Sequence, residues 1–388
     1  MKAKKTKLLR ITTVPISLRL LLTGQMKFMH NKGFEVLMVS ADGPELGEVI
    51  EGEGCPHRII AFTRAITPFQ DLRCLWQLIW LFYRERPDIV HTHTPKAGLL
   101  GMLAARLTGV PVRIHTIAGL PFLTASGSRR KLLIAMEKLT YWGARQVWPN
   151  SKSILAYIKE NRLCPIHKLN IINEGSTNGI DLDVFSPSVI QPDILARIKA
   201  TFDYQPHFIY LLAIGRIVKD KGIPELVNAF TELQVDIPQL RLLLVGPIEE
   251  EREEELLPLA TLEGIQNHPG IQHISWTDEV AYYLQLADIL VHASHREGFP
   301  NVVLQAGAMS CPIICSDIPG NIDIVRDGKT GLHFKVRDAE HLIAQLRFAL
   351  ENPGKMQAMA RCLRSEIEQY YAREAIQEAI YQRYVSLL

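Results

Sequence analysis

A chain of 388 residues exceeds what one hydrophobic core usually supports, so two domains are expected. Its 47% hydrophobic and 22% charged residues exclude a long disordered protein, and no apolar run approaches the roughly 18–20 residues that span a bilayer. The net charge of +2 hides a split, because residues 1–183 hold 25 Lys and Arg against 14 Asp and Glu whereas residues 184–388 hold 18 against 27. Such a split points to a polyanionic partner for the first half alone. The basic residues form no motif interleaved with aromatics, so an anionic membrane surface is the expected partner and nucleic acid is not. Lys2, Lys4, Lys5 and Lys7 precede an apolar stretch, but Arg10, Pro15 and Arg19 break it, unlike a secretory signal. Six cysteines without a Cys-x-x-Cys pair fit reduced thiols in the cytoplasm.

Residues 8–14 read as a first strand, 15–19 as the turn after it, and 20–31 as a helix stopped by Gly33. Strands follow at 36–40 and 59–62, then a strongly apolar helix at 71–84 containing Trp76, Trp80 and Phe82. Residues 88–91 form a strand running into His93-Thr94-Pro95-Lys96-Ala97-Gly98, which opens a helix rich in small residues. Further strands at 112–116 and 146–149 enclose the basic helix 129–142, and 169–172 closes this half. The turn-rich stretch 175–183 is the expected linker. The alternation then restarts, with strands at 208–214, 240–245, 271–274, 289–292, 312–316 and 331–334 and helices between them. A helical segment covers 356–387. Strand and helix alternating twice predict two doubly wound α/β domains facing each other, with ligands at the carboxyl ends of both sheets.

Two stretches of the second half carry chemistry. Residues 295–301, His-Arg-Glu-Gly-Phe-Pro-Asn, join an apolar strand to a helix and offer backbone donors beside one carboxylate. A helix start suits phosphate, while Glu297 suits hydroxyls, and together they suggest a nucleotide sugar. An ordinary loop with a solvated Glu is the alternative. Gly215-Arg216-Ile217-Val218-Lys219-Asp220-Lys221-Gly222 ends another strand, and its Arg and Lys suit a diphosphate. Asp181-Leu182-Asp183 matches a metal pattern but reads better as a turn. His91 and His93 alternate along a strand and should face opposite sides. The run 249–255 reads as a solvated helix start. Helices 71–86 and 129–142 join apolar faces to Arg and Lys, which makes them membrane-docking candidates, with interior packing of Trp76 and Trp80 the alternative.

The spacing Gly-Arg-x4-Lys-Gly, followed about eighty residues later by Arg-Glu-Gly-Phe-Pro-Asn, closely resembles retaining glycosyltransferases of family 4, which have the GT-B fold. Residues 93–99 and Asp327-Gly328-Lys329-Thr330-Gly331 are similar to that family too, so the resemblance spans the chain. It is nearest to bacterial enzymes that build surface polysaccharide on lipid carriers. It implies a donor domain at 184–367 and an acceptor domain at 1–183, onto which 368–388 would pack back. Arg216 and Lys221 would hold the donor diphosphate and Glu297 the sugar hydroxyls. Gly215, Gly298, Phe299, Pro300, Asn301, Val302, Gln305 and Trp276 would complete the donor site. Ser17, His93, Lys96 and Asp181 would border the cleft and the acceptor. It implies no metal and no cofactor beyond the nucleotide-diphosphate sugar, with UDP the expected carrier and a polyprenyl-diphosphate-linked saccharide the acceptor. The chain would sit on the inner face of the plasma membrane.

Three departures stand out. The family's Glu-x7-Glu reads Glu297-x7-Gln305, and Gln can still accept and donate hydrogen bonds. Pro15-Ile16-Ser17-Leu18 replaces the glycine-rich turn after the first strand. The family's Thr-x-His-Gly turn reads Thr116-Ile117-Ala118-Gly119, leaving His115 either in a catalytic role or as a core histidine. These departures keep two alternatives open: a sugar-nucleotide-binding partner subunit of weak or no activity, and a nucleotide-sugar 2-epimerase on the same fold.

Overall fold

The computed structural model describes residues 5–249 and 256–388, so most of the acidic run 249–255 lies outside it. In chain order the first half holds β1 (Lys7–Ile11), α1 (Pro15–Leu21), α2 (Gln25–Asn31), β2 (Glu35–Ser40), α3 (Leu46–Glu53), β3 (His57–Ile59) and α4 (Pro68–Glu85). It continues with β4 (Ile89–Thr92), α5 (Pro95–Leu107), β5 (Val112–Ile117), α6 (Gly127–Gly143), β6 (Gln146–Pro149) and α7 (Lys152–Glu160). The second half runs α8 (Pro192–Thr201), β7 (Ile209–Ile214), α9 (Ile223–Asp236), β8 (Leu240–Val245), α10 (Leu259–Asn267), β9 (Ile271–Ile274), α11 (Val280–Leu286) and β10 (Ile289–His292). Then come α12 (Asn301–Ala308), β11 (Ile313–Ser316), α13 (Asn321–Ile324), β12 (Leu332–Phe334), α14 (Ala339–Glu351), α15 (Pro353–Tyr370) and α16 (Arg373–Leu387).

Two compact units result, one made of residues up to Gly179 together with Arg373–Leu388, the other of Ile180–Ala372. The first contains a six-stranded parallel sheet in the order β3-β2-β1-β4-β5-β6. Its central strands are buried on both faces because helices cover both. α4 to α7 pack on one side and α1 to α3 with α16 on the other. The small residues of α5 have a use. A Cβ on Gly98 would lie 2.3 Å from His115, and one on Gly101 would lie 2.6 Å from Thr92, so this helix lies flat on the sheet.

The second unit repeats the plan with β12-β11-β10-β7-β8-β9, again parallel. α9, α10 and α14 cover one face, and α8, α11, α12 and α15 the other.

Several local expectations need correction. Residues 15–21 form a helix rather than a turn, since Pro15 is pre-set for the first helical position and Leu18 is buried. The helix expected at 20–31 is broken by Gly24 at φ +75°, whose amide and that of Lys27 are taken by Glu53. The third strand is His57–Ile59, a short edge strand, and α3 before it was not foreseen. β4 ends at Thr92, so His93 leaves the pleat, and the rings of His91 and His93 lie 4.3 Å apart instead of on opposite faces. The C-terminal helical segment is two helices, divided where Tyr371 accepts a hydrogen bond from the Ile180 amide at 2.8 Å. α16 packs Ile376, Ile380 and Tyr384 into the first unit.

Candidate active site

β7 and β10 lie side by side at the point where the second sheet reverses its order, the place where open α/β sheets bind ligands. Each strand ends in one of the two stretches singled out above. After β7, Gly215 at φ +141° turns the chain. Ile217 and Val218 bury themselves, and Lys219–Lys221 make one tight turn into α9. After β10, residues 293–300 lead into α12.

Glycines let the loops touch. A Cβ on Gly222, at φ +68°, would stand 2.0 Å from the Ala293 carbonyl oxygen, and one on Gly320, at φ +91°, 2.6 Å from that of Gly298. Charge then locks them. The Asp220 carbonyl accepts from the His295 amide at 2.8 Å, and its carboxylate accepts from Arg296 Nε at 3.0 Å. His295 meets Glu225 of α9 at 2.9 Å and accepts from Arg337 Nε at 3.3 Å.

Between the two loops the Lys221 ammonium donates to Glu297 Oε1. His292 Nε2 lies 3.1 Å from that same oxygen. Burial alone would raise the Glu297 carboxyl, but Lys221 and His292 outweigh it and hold the group well below the usual carboxylate range. Glu297 is therefore an anion throughout the neutral range. Arg216 extends from the same loop as Lys221 and meets Glu249 at 3.4 Å.

The remaining predicted donor residues lie after β7, β9 and β10 and on the first turns of α12. Phe299 turns into the core, with its ring 5.4 Å from that of Tyr371. Pro300 is extended and caps α12, whose first turn holds half-buried Asn301 and Val302 and no acidic side chain. Gln305 is half-buried one turn on, and Trp276, just past β9, is 48% exposed. His292 is the residue sequence reasoning missed. Only its place at the end of a strand, five residues before Glu297, could have pointed to it.

Asp181 begins the second unit in a turn in which its Oδ1 accepts from the Asp183 amide at 3.0 Å. Among the described residues no cluster of three or more His, Cys, Asp or Glu is placed to hold a metal.

The other predicted positions lie in the first unit. Ser17 is half-buried in the first turn of α1. Lys96 is nearly buried and donates to Asp71 at 2.6 Å, Thr63 at 2.8 Å and the Ala65 carbonyl, which fastens the loop before α4. His115 lies beneath Gly98, with Nδ1 2.9 Å from Thr92 Oγ1 and its ring near Tyr141, the surroundings of a core histidine. Its pKa is lowered to about 4 by burial. His93 differs. It is 1% exposed, yet neither ring nitrogen has a hydrogen-bond partner, and it lines a small cavity with His91, Thr116, Trp148, Asn150 and Thr177. Burial, then the neighbouring Arg10 and His115, push it well below the usual histidine range, so it is neutral at pH 7.

Residues 199–365 match the family model described as glycosyl transferases group 1, and residues 23–173 match the glycosyl transferase 4-like domain. The capsular polysaccharide biosynthesis glycosyltransferase CapM of Staphylococcus aureus is 31% identical over 389 residues, covering 99% of this chain and 98% of its own. The chain belongs to the group 1, family 4-like glycosyltransferases. An Escherichia coli UDP-Gal:alpha-D-GlcNAc-diphosphoundecaprenol alpha-1,3-galactosyltransferase is 25% identical over 83% of this chain and 81% of its own. In fold, this glycosyltransferase is similar to Anabaena HepE, solved in complex with UDP and glucose, with a TM-score of 0.80 and 15% identity over 98% of this chain and all of the other. The two-sheet architecture is thus the GT-B fold, as its motifs implied, and the chain is an enzyme that transfers glycosyl groups.

Proposed function

We propose that this glycosyltransferase moves a sugar, with retention and without a metal, from a uridine-diphosphate sugar to a saccharide carried on polyprenyl diphosphate in the synthesis of a surface polysaccharide. The Lys221–Glu297–His292 cluster at the switch point carries the reading. Both contacts to Glu297 fall on Oε1, so Oε2 is the atom offered to hydroxyls of the donor sugar. An ammonium has three donors, so Lys221 can keep Glu297 and also meet a diphosphate oxygen. As the anomeric carbon becomes cationic, charge builds on the departing diphosphate. Lys221, Arg216 and the first turn of α12 would meet that charge, and preorganised donors act most strongly in the transition state. Gly215, Gly298, Asn301, Val302, Gln305 and Trp276 shape the remainder of the donor site, with Pro300 and Phe299 fixing the loop.

Residues 184–367 would bind donor and residues 1–183, with 368–388, acceptor. His93, rather than the tightly packed His115, is the histidine with nitrogens left to meet an acceptor hydroxyl. The lipid-linked substrate named for the Escherichia coli relative supports the choice of acceptor. No helix among the described residues is long and apolar enough to cross a membrane, and the basic first half would attach the enzyme to the inner face of one.

Donor binding and turnover test the reading together. UDP should raise the melting temperature of the wild-type enzyme. Lys221→Ala should lower transfer about a hundredfold, the scale of losing one preorganised donor. Glu297→Gln, keeping the shape but not the charge, should weaken donor-sugar binding more than UDP binding. Turnover near wild type in both variants would overturn the assignment.

A further inference from the structure

α4, α5 and α6 are three of the four helices on one side of the first unit's sheet, and their outward side is unlike the rest of the domain. On α4, Phe69, Leu72, Trp76, Trp80 and Tyr83 recur at intervals of three and four, which places them in one stripe. They are 93%, 54%, 65%, 61% and 72% exposed. Cys74, Leu78, Leu81 and Phe82 supply the buried face, so the stripe is surplus to the core. α6 adds exposed Leu132, Leu139 and Trp142. Monomeric soluble proteins rarely leave so continuous an apolar strip uncovered.

The charges of these three helices identify what covers the strip. Every exposed charged side chain on α4, α5 and α6 is Arg or Lys, from Arg73 and Arg84 to Lys138. The acids of these helices are withdrawn: Asp71 is bound to Lys96 at 2.6 Å, Glu85 to Lys7 at 2.9 Å, and Glu137 is buried. The opposite layer, by contrast, shows exposed Glu48, Glu51 and Glu374. Two guanidinium groups sit over indoles of the strip, Arg84 over Trp80 at 5.4 Å and Arg106 over Trp142 at 3.8 Å. Such a pair has a wet cationic end and an apolar ring, as residues at headgroup depth do.

We propose that this layer docks on an anionic bilayer, with the aromatic stripe of α4 entering the headgroup region and the cations of α4 and α6 meeting lipid phosphates. The inference rests on the reading that the acceptor is lipid-borne. The apolar share of the contact should leave part of the binding resistant to salt, unlike a purely ionic attachment.

The full chain should co-sediment with vesicles of phosphatidylcholine and phosphatidylglycerol, more weakly with phosphatidylcholine alone, and its tryptophan emission should shift to the blue. Trp76→Glu with Trp80→Glu should lower affinity about tenfold or more, and each basic residue removed about fivefold. Val385→Glu, on the opposite layer, should leave binding unchanged. Undiminished binding by the double tryptophan variant would overturn the proposal, as would failure of the parent to bind anionic vesicles. A dimer of the parent that the same variant abolishes would also overturn it, since a second copy would then cover the strip. UDP stabilisation of every variant is read separately: its absence alongside intact vesicle binding counts against the donor reading and leaves docking standing.

Discussion

His292 and Glu297 form a pair that no local pattern announces. A strand brings the imidazole to the sheet edge, and a five-residue excursion returns the carboxylate to within 3.1 Å of it. With Lys221 on the same oxygen, the histidine fixes which way the carboxylate faces. His292→Leu should leave the fold intact, since the site is already apolar on its strand side, but should let Glu297 turn. Donor KM should then rise several-fold with a smaller change in kcat, and His292→Asn, which can still donate, should restore part of the loss. Three histidines of the first unit act in the opposite sense. His91, His93 and His115 are all held below their ordinary range, chiefly by burial. In the unfolded chain they take up protons near pH 6.5, whereas the folded unit resists, so stability is full above that value and falls as pH drops below it. Melting followed at descending pH should show this loss in the first unit, and His115→Gln should remove part of it.

At the scale of elements, parallel strands buried on both faces announce themselves as short apolar runs, and those of β4, β5, β7, β8 and β10 are legible to within a residue or two. So is the place of Arg216, Lys221 and Glu297 beyond strand ends of the second sheet, because each follows its strand closely in the chain. What escapes is whatever depends on partners distant in the chain. α1 reads as a turn because its helix is secured by burial of Leu18, not by propensity. The exposure of Trp76 and Trp80 is equally hidden, since an aromatic helix stripe fits a core as well as a surface. The return of α16 to the first unit follows from the family resemblance, but the polar contact that anchors it is hidden in the same way. Arg10, fully buried in β1, donates to Tyr384 at 2.6 Å, and Tyr384 in turn meets His91. Tyr384→Phe leaves that guanidinium with Gln25 as its remaining acceptor and should cost the first unit roughly 1–3 kcal/mol. The expected signature is a lower urea midpoint for the first unit with UDP binding unchanged.

For the whole molecule, the uneven charge seen in the sequence becomes a division between a basic unit with one cationic, aromatic face and a second unit that holds the Lys221–Glu297–His292 cluster of the proposed donor site. The manner in which the chain is apportioned also has a consequence for how the protein is made. The second unit is one continuous segment whose ends are joined where Ile180 bonds to Tyr371, as an inserted domain would be. The first unit is discontinuous, because its layer of α1 to α3 is completed by Ile376, Ile380 and Tyr384. During synthesis the second unit can therefore close while the first still waits, with Arg10 and the surfaces of α1 and α2 uncovered, for residues 373–388 to be made. The unit proposed to dock on a membrane is thus the one whose fold is completed second.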